Sequence, residues 1–433
     1  MTNAQMLAVL GISAVAGASL VAVPTARAVI VGLIAIAVVW LVVLPRGWMA
    51  DVEPTTRRVI LVFLGLRLVM PLVFQLASSA AALLFSGGSD SLGYHRAGAH
   101  VATELVATGH SISHRQIPGT GAIDLAVGYF YAWAAPVRIV GDYAWSALAT
   151  IGMLLFWWAT NHLAGERRSR YTAFVLLTPT LLLWNAGLSK EAPMTFATGC
   201  IVAGVYMLSV RSNTLRGVGY LTIGVAVAGF VRPHVALLLL LGTVVGVGAP
   251  RLKSKTKPRR LLPLAVGVVF LAAIVPATQA LINPTGKGSL VDAAYDSAEK
   301  TAVVGGRSSF ETSPTRSVGD VPFAVVTVLF RPFPWEVRTA PQLLASGEAM
   351  VVFAMVVGTL RGLAKRRLRL VRSPLVFMSA TFALLFCLAF ASLGNFGLLV
   401  RERMQVLPFV VVLVFSVRPI ASRTSAKATL VNA

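Results

Sequence analysis

Uninterrupted apolar runs of about 20 residues follow one another along most of the chain, and their length limits what it can fold into. A run of that length crosses about 30 Å of hydrocarbon as an α-helix. Only helices and closed barrels satisfy their backbone in lipid, and these runs are continuous instead of alternating. Hydrophobic residues make up 56% of the chain, charged residues make up 12%, and the mean hydropathy is +0.78. The composition excludes a soluble globular protein and predicts an all-α, polytopic protein of the cell (plasma) membrane.

We expect about 11 to 13 transmembrane helices in a single domain that comprises residues 1–433. Two hydrophilic segments, 86–118 and 282–345, interrupt the apolar runs and are predicted to be extracytoplasmic. The first contains a helix-like stretch over 91–108, which we expect to lie along the membrane interface. The candidate spans lie near 5–23, 28–45, 58–85, 119–139, 143–163, 171–188, 192–210, 217–231, 234–249, 261–281, 346–361, 374–393 and 404–418.

The formal charge of +22 is concentrated in short loops between the apolar runs. The two most basic loops, 250–260 and 361–372, are predicted to face the cytoplasm, because short basic loops stay on that side. This explains the charge better than a nucleic-acid partner does, so we expect membrane lipids as partners and no nucleic acid. Counting crossings from these loops places Lys190, Arg232 and the segment 394–403 outside.

The N-terminal half of the chain carries conflicting signals. Arg57 and Arg58 indicate a cytoplasmic loop, which places 86–118 outside, whereas the basic turn 165–170 argues the reverse. Three alternatives remain: a run between 119 and 188 is re-entrant, the 165–170 turn lies outside, or the N-terminus faces out with 86–118 inside. We favour 86–118 outside, because this gathers the charges that stand apart from the basic loops on one face.

Asp90 follows a helix end and a Ser-Gly-Gly-Ser stretch, and Tyr94 and His95 come one turn later. At positions i and i+4 of a helix, Asp90 and Tyr94 share a face, so the acid and the phenol can converge on one ligand, to which His95 is adjacent. We predict that Asp90 is a general base. The alternative is an N-cap, since an Asp before a helix satisfies free N–H groups.

Several potential metal ligands fall within or near the same segment. Together they can bind a divalent metal, although their spacing matches no zinc pattern. A divalent metal is the only cofactor that the sequence suggests, and solvated histidines are the alternative. The residues are Asp90, His95, His100, Glu104, His110 and His114.

Two polar turns between later apolar runs are candidate anion sites. Lys190 and Glu191 open a helix, where the ammonium can pair with a phosphate and the carboxylate suits the helix N-terminus. Arg232 and His234 flank a proline, and Arg232 can form a fork with a phosphate or carboxylate. A snorkelling lysine and a plain interfacial anchor are the alternatives.

Two further polar segments lie nearer the C-terminus. LFRPFPWE, residues 329–336, combines aromatic rings with Arg331 and Glu336, so it can stack on sugar rings or lipid. An aromatic belt at the interface is the alternative. Arg401 and Arg403 flank an acid where the last helix enters the membrane, and they can grip a diphosphate or anchor the helix end.

Three short motifs follow one another along the chain: an early Asp with a Tyr four residues later, then P-x4-W-x5-KE, then GNxG-x3-R-x-R. They comprise Asp90, Tyr94, Pro179, Trp184, Lys190, Glu191, Gly394, Asn395, Gly397, Arg401 and Arg403. In these motifs the chain resembles bacterial membrane glycosyltransferases of the GT-C type and the related polysaccharide polymerases. The likeness spans most of residues 57–418.

The resemblance implies that Asp90 is the catalytic base and that the donor is a sugar on a polyprenyl phosphate or diphosphate. It also implies donor-phosphate contacts for Arg331, Arg401 and Arg403. Many such enzymes have two adjacent acids in the first loop, whereas Ser91 follows Asp90 here. We expect transfer of a sugar or oligosaccharide unit to a cell-envelope glycan or lipid acceptor on the outer face.

The alternative function is a transporter or flippase for a polysaccharide or lipid-linked glycan, which breaks no bond. A transporter is expected to contain two repeated halves with interrupted helices at matching positions. No internal repeat is apparent in the sequence. We therefore favour the enzyme.

Overall fold

The computed structural model describes residues 52–84, 90–111, 117–248 and 318–420, together with positions 32, 34, 115 and 310. The predicted spans near 5–23, 28–45 and 261–281 lie outside the described residues. The basic loop 250–260, His114 and most of the segment 282–345 lie outside them as well.

The described residues are mostly helical, as predicted, and proline opens several of the helices. Pro179, Pro233 and Pro374 stand in a first turn, where the missing N–H costs no hydrogen bond. The helices are α1 (Pro54–Leu84), α2 (Asp90–Thr108), α3 (Thr120–Ala134), α4 (Arg138–Thr160), α5 (Arg168–Leu176), α6 (Pro179–Trp184), α7 (Glu191–Ser209), α8 (Thr214–Val231), α9 (Pro233–Gly248), α10 (Val321–Phe330), α11 (Ala340–Ala364), α12 (Pro374–Phe390), α13 (Phe396–Arg403) and α14 (Leu407–Phe415). Short 3₁₀ turns cover Asn161–Arg167, Val318–Asp320 and Pro334–Glu336.

Five stretches of helix in the described part of the chain are long and apolar enough to cross a membrane, judged by length and composition. They are Pro54–Ser78, Arg138–Leu176, Glu191–Ser209, Thr214–Val231 and Gln342–Ala364. This is compatible with the predicted membrane protein. The total of about 11 to 13 crossings stays a prediction.

The predicted run 171–188 is not one helix. Thr178 adopts φ −56° and ψ 119°, which ends α5, and Pro179 then opens the six-residue α6. A residue before proline is pushed out of the α region by contact with the proline ring. The break lets the chain form the turn 185–190 ahead of α7, where Lys190 lies.

Helices α4 and α7 pack closely because glycines face each other at their crossing. A Cβ on Gly152 would lie 2.4 Å from the Phe196 Cα, and one on Gly199 would lie 2.1 Å from the Gly152 carbonyl oxygen. Neither distance is sterically allowed, so both positions require glycine. Small residues at a crossing let two apolar helices gain dispersion contacts along their backbones.

One end of the helical bundle, which we call the basic end, consists of the turns 161–168, 210–213, 365–373 and 416–419. Two short strands, β1 (Leu368–Leu370) and β2 (Val417–Pro419), pair antiparallel there, which the all-α prediction did not include. Arg167 donates to the Phe415 and Val417 carbonyls at 2.9 Å each, and Arg418 donates to the Leu163 carbonyl at 2.6 Å. These bonds place the basic turn 161–168 beside the strands.

Helices α2 and α3 lie together across the opposite end of the bundle, which we call the site end. Gly119, just before α3, donates its N–H to the Phe230 carbonyl at 2.9 Å. Near the other end of α3, Tyr131 Oη lies 2.9 Å from His95 Nδ1. Since Phe230 and His95 both belong to the site end, α3 returns to the end where it began.

The run predicted at 119–139 therefore forms the shorter helix α3, with contacts to the site end near both of its ends. The 15 residues of α3 extend about 22 Å along the site end instead of through the bundle. This explains the conflicting charges of the N-terminal half, because the turn 165–170 and the start of α1 can then share the basic end. The arrangement is compatible with the alternative in which a run between 119 and 188 is re-entrant, and the topology stays a prediction. The predicted helix over 91–108 is confirmed as α2.

Candidate functional site

Arg67, in the middle of α1, fastens the turn that leads to the site. Its side chain is fully buried and donates to the carbonyls of Leu182 at 3.1 Å, Asn185 at 2.6 Å and Ser146 at 2.8 Å. Its Nε donates to Thr150 Oγ1 at 3.0 Å. We call this group the arginine anchor. It joins α1 to α4 and to the end of α6, whose last carbonyls have no partner within that helix.

Asp142 of α4 holds the same turn from a second side. Its Oδ1 accepts the Leu188 N–H at 2.8 Å. A Cβ on Gly187 would lie 2.7 Å from that oxygen and 2.4 Å from the Phe74 ring, so only glycine fits between them. The turn therefore fixes the position of the N-terminal end of α7.

A chain of alternating charges joins five side chains at the head of α7. Glu191 Oε1 accepts from Arg401 Nε and, at 2.7 Å, from Arg232 Nη2. Arg401 Nη1 also donates to Asp90 Oδ2, and Arg232 Nη1 donates to Glu402 Oε2 at 2.6 Å. We call these five residues the charge network. The sequence predicted a role for four of them, and Glu402 was noted only as the acid between two arginines.

Burial changes sharply along the charge network. The Glu191 side chain is 0% exposed and the Arg232 side chain 6%, whereas the Asp90 side chain is 64% exposed. A buried charge is tolerated only with a partner, and Glu191 has two. Burial raises the pKa of Glu402 above its usual value although Arg232 lies beside it. Glu191 is thus the centre of the network, and Asp90 is its solvent-facing end.

Lys190 adds a cation that the network does not neutralise. Its side chain is partly buried, and within the described residues its ammonium has no hydrogen bond or ion pair. Burial, with the nearby charges of Arg232 and Arg401, lowers the pKa of Lys190 to about 8. An anion bound beside Lys190 would stabilise the charged form of its ammonium group.

Two buried acceptor oxygens in or next to the charge network also lack a donor among the described residues. They are Glu191 Oε2 and Gln405 Oε1. The amide nitrogen of Gln405 donates to Glu402 Oε2 at 2.7 Å, which orients the amide and leaves its oxygen without a partner. An unpaired buried acceptor costs about 1–3 kcal/mol, so a ligand with hydroxyl groups would be stabilised here.

Three aromatic side chains border the charge network. Tyr94, one turn after Asp90, is buried, and burial raises its pKa to about 12, so it is a neutral phenol at physiological pH. The Arg401 Cζ lies 6.0 Å from the centroid of the Trp184 ring. His234 opens α9 two residues after Arg232, and its ring lies 5.9 Å from that of Phe390.

Most of the predicted site residues therefore lie together at the site end. Those that meet in or beside the charge network are Asp90, Tyr94, Lys190, Glu191, Arg232, His234 and Arg401.

Arg331 and Glu336 form a separate aromatic cluster. Arg331 Nε donates to Glu336 Oε1 at 3.0 Å, and the Arg331 Cζ lies 4.1 Å from the Phe310 ring centroid and 5.5 Å from that of Phe396. Trp335 is exposed beside them. The cluster adjoins the start of α13 while Arg401 is near its end, so it lies apart from the charge network. Its stacking on sugar rings or lipid stays a prediction.

Arg403 does not join Arg401 in a shared anion grip. It is fully buried and donates to the carbonyls of Leu329 at 3.2 Å, Arg331 at 2.8 Å and Ala345 at 3.1 Å. Residues two apart on a helix point to different sides, so Arg401 and Arg403 diverge. The predicted phosphate contact of Arg403 is therefore replaced by a link between the end of α10 and α11, the second reading that the sequence allowed.

His95 also points away from the charge network. It bonds to Tyr131, and burial together with the charges of Arg138 and Arg96 lowers the pKa of His95. No three His, Cys, Asp or Glu side chains among the described residues gather closely enough to hold a metal ion. The suggested metal site thus has no support from His95, His100 or His110, and His114 lies outside the described residues.

An apolar groove of about 690 Å³ opens on the side of the bundle between α5, α6, α11 and α14. Leu343, Leu344 and Val351 line its exposed wall. The groove also reaches Pro179, five residues or about 7.5 Å along α6 from Trp184. It therefore lies close to the charge network.

Among the described residues, Glu348 is the one acid that lines this groove. Its carboxylate accepts from the Thr180 backbone N–H at 3.0 Å and from Thr180 Oγ1 at 2.7 Å. Sequence reasoning missed Glu348, Arg67 and Asp142. An isolated ionisable residue inside an apolar run was the signal that could have identified Arg67 and Glu348, whereas Asp142 falls between the predicted runs 119–139 and 143–163.

No protein-family model, curated protein or solved structure matches the chain, so the chemistry of the site rests on its own residues.

Proposed function

We propose that the chain is an integral-membrane glycosyltransferase that moves a sugar or oligosaccharide unit from a polyprenyl-phosphate carrier to a cell-envelope glycan or lipid acceptor. The observation that carries this proposal is the set of unpaired groups at the charge network. The Lys190 ammonium needs an acceptor, and the buried oxygens of Glu191 and Gln405 need donors. A sugar phosphate supplies both, since its phosphate oxygens accept and its hydroxyls donate.

The apolar groove supports a lipid-linked donor instead of a soluble one. If the carrier phosphate binds at Lys190, it lies near the C-terminal end of α6. The isoprenoid chain of the carrier can then follow the groove, which begins at Pro179, about one and a half helical turns from Trp184. Burying isoprenoid carbon there is favoured by about 25 cal/mol per Å² wherever water is excluded. The partners of this reaction are the carrier, the acceptor and the surrounding lipids.

The distribution of arginines supports a reaction on the outer face of a plasma membrane. Arg167, Arg211 and Arg418 belong to the basic end, and basic turns of spanning proteins stay in the cytoplasm. The site end, with α2 and α3, then faces outward. The segments 86–118 and 282–345 are extracytoplasmic in this arrangement.

The network residues take distinct roles in the proposed reaction. The Asp90 carboxylate removes the proton of an acceptor hydroxyl as that oxygen bonds to the anomeric carbon of the donor sugar. The bond from that carbon to the phosphate oxygen breaks, and its electron pair stays on the phosphate. Lys190 and Arg401 stabilise the charge on the leaving phosphate.

The direct test uses the purified chain in lipid nanodiscs with a polyprenyl-phosphate donor that carries a radiolabelled sugar. We expect labelled glycan and free polyprenyl phosphate, and Asp90→Asn is expected to lower turnover by about 10²–10⁴-fold. Glu104→Gln, which removes the same charge from a distant position on α2, is the matched control. Unchanged turnover in Asp90→Asn, or an intact donor with the wild-type chain, would contradict the proposal.

The alternative function is a flippase for the same lipid-linked glycan. It predicts that the donor changes leaflet in proteoliposomes while its sugar–phosphate bond stays intact. The ion pairs of Asp90, Glu191 and Glu402 gather at one end of the bundle instead of lining a path through it, which favours surface chemistry.

A further inference from the structure

Arg401 has two carboxylate partners that differ in how easily they can leave. Glu191 is fully buried and also holds Arg232, so separating it from Arg401 would weaken the pairing of a buried charge. Asp90 is largely exposed although Arg401 is not, so leaving Arg401 returns the Asp90 carboxylate to water instead of stranding it in the interior. Asp90 is thus the partner that another anion can replace.

The surroundings of Arg401 suit a phosphate better than a single carboxylate. Lys190 lies close enough for the charge of Arg401 to lower its pKa, yet Asp90 makes no ion pair with Lys190. A phosphate oxygen group can accept from a guanidinium and an ammonium together, and charge-assisted bonds of this kind are about twice as strong as neutral ones.

We propose that the Asp90 carboxylate occupies the place on Arg401 that a phosphate oxygen of the lipid carrier takes, so that carrier binding displaces Asp90 and frees it to act as the base. This inference rests on the proposed function and names the phosphate subsite as Arg401 with Lys190. While Arg401 holds Asp90, the carboxylate oxygen Oδ2 accepts from the guanidinium. Once displaced, that oxygen can accept the proton of an acceptor hydroxyl, so donor binding frees it for the base role.

Calorimetric titration of the detergent-purified chain with farnesyl phosphate tests this exchange. Removing the competing carboxylate in Asp90→Asn is expected to tighten farnesyl phosphate binding on the order of fivefold. Glu104→Gln is expected to bind like the wild type, because it removes a carboxylate from the same helix far from Arg401. Lys190→Met is expected to weaken binding. Equal or weaker binding by Asp90→Asn overturns the proposal.

A second measurement uses the wild-type chain and does not depend on a variant that folds. Carbodiimide labelling of carboxylates, read by mass spectrometry, is expected to increase at Asp90 when farnesyl phosphate is added, while labelling of Glu104 stays constant. Constant or reduced labelling of Asp90 under saturating farnesyl phosphate overturns the exchange.

These outcomes separate the exchange from the transfer reaction. If the wild-type chain transfers sugar but Asp90→Asn binds farnesyl phosphate no more tightly, the exchange fails and the glycosyltransferase stands. If the affinities follow the expected order but no polyprenyl-linked donor is cleaved, the transfer reaction fails and the phosphate subsite stands.

Discussion

The charge network and the arginine anchor both contain buried guanidinium groups, but the hydrogen-bond acceptors of these groups differ. Arg67 donates to three carbonyls and one hydroxyl, which belong to the middle of α4 and to the end of α6 with the turn that follows it. Arg232 and Arg401 share the carboxylate of Glu191, beside acceptor oxygens and an ammonium that have no partner among the described residues. We interpret the anchor as a device that holds the turn 185–190, and the network as a set of charges prepared for a ligand.

The largest expected effect comes from Glu191→Gln, which breaks the centre of the network. Two buried guanidinium groups lose their shared counter-charge, so we expect the free energy of unfolding to fall by about 4 kcal/mol. Denaturant titration in detergent measures this change. Glu104→Gln, an exposed change of the same kind, is expected to cost less than about 0.5 kcal/mol. Equal stability of the two variants would show that the network does not depend on Glu191.

Arg67→Met is expected to lower the free energy of unfolding by about 3 kcal/mol, because several buried carbonyls lose a donor. The matched control is Arg96→Met, since Arg96 is exposed on α2. If the anchor serves the turn and not the ligand, the folded fraction of Arg67→Met retains the wild-type farnesyl phosphate affinity. A loss of affinity with unchanged stability would reverse the roles that we assign to the two regions.

A smaller effect, about tenfold, is expected in the affinity for farnesyl phosphate when the pH is raised. Because the pKa of Lys190 is lowered to about 8, its ammonium is mostly protonated at pH 7 and mostly neutral at pH 9. The affinity for farnesyl phosphate is expected to fall by about tenfold between those values as the cation is lost. Lys190→Arg, which stays charged throughout, is expected to flatten the profile. A flat profile in the wild type would place the phosphate elsewhere.

The smallest effect is expected in the aromatic cluster, which tests whether every charged pair at the site end belongs to the network. Glu336→Gln keeps an acceptor for the Phe333 N–H and removes one partly exposed ion pair. We expect a loss of about 1 kcal/mol or less in the free energy of unfolding and unchanged farnesyl phosphate affinity. Binding that weakens as much as in Lys190→Met would join the cluster to the network.

The sequence predicted the helical fold and most of the network, but it could not separate Arg401 from Arg403. Both stand in one short motif with the same apparent chance of contacting an anion. The helix α13 turns one toward Glu191 and the other toward three carbonyls, and only the packing of α10 and α11 decides which is which. A similar limit applied to α3, because its length and apolar character do not indicate that it packs against α2 across the site end.

From the sequence alone follow the apolar helices, the basic loops and the polar positions at helix ends, because hydrophobic length and charge are local properties of the chain. Tertiary structure decided which carboxylate pairs with which guanidinium, which groups stay unpaired, and that α3 lies across the bundle. Those outcomes depend on distances between residues up to 311 positions apart, as for Asp90 and Arg401, and local patterns carry no information about them.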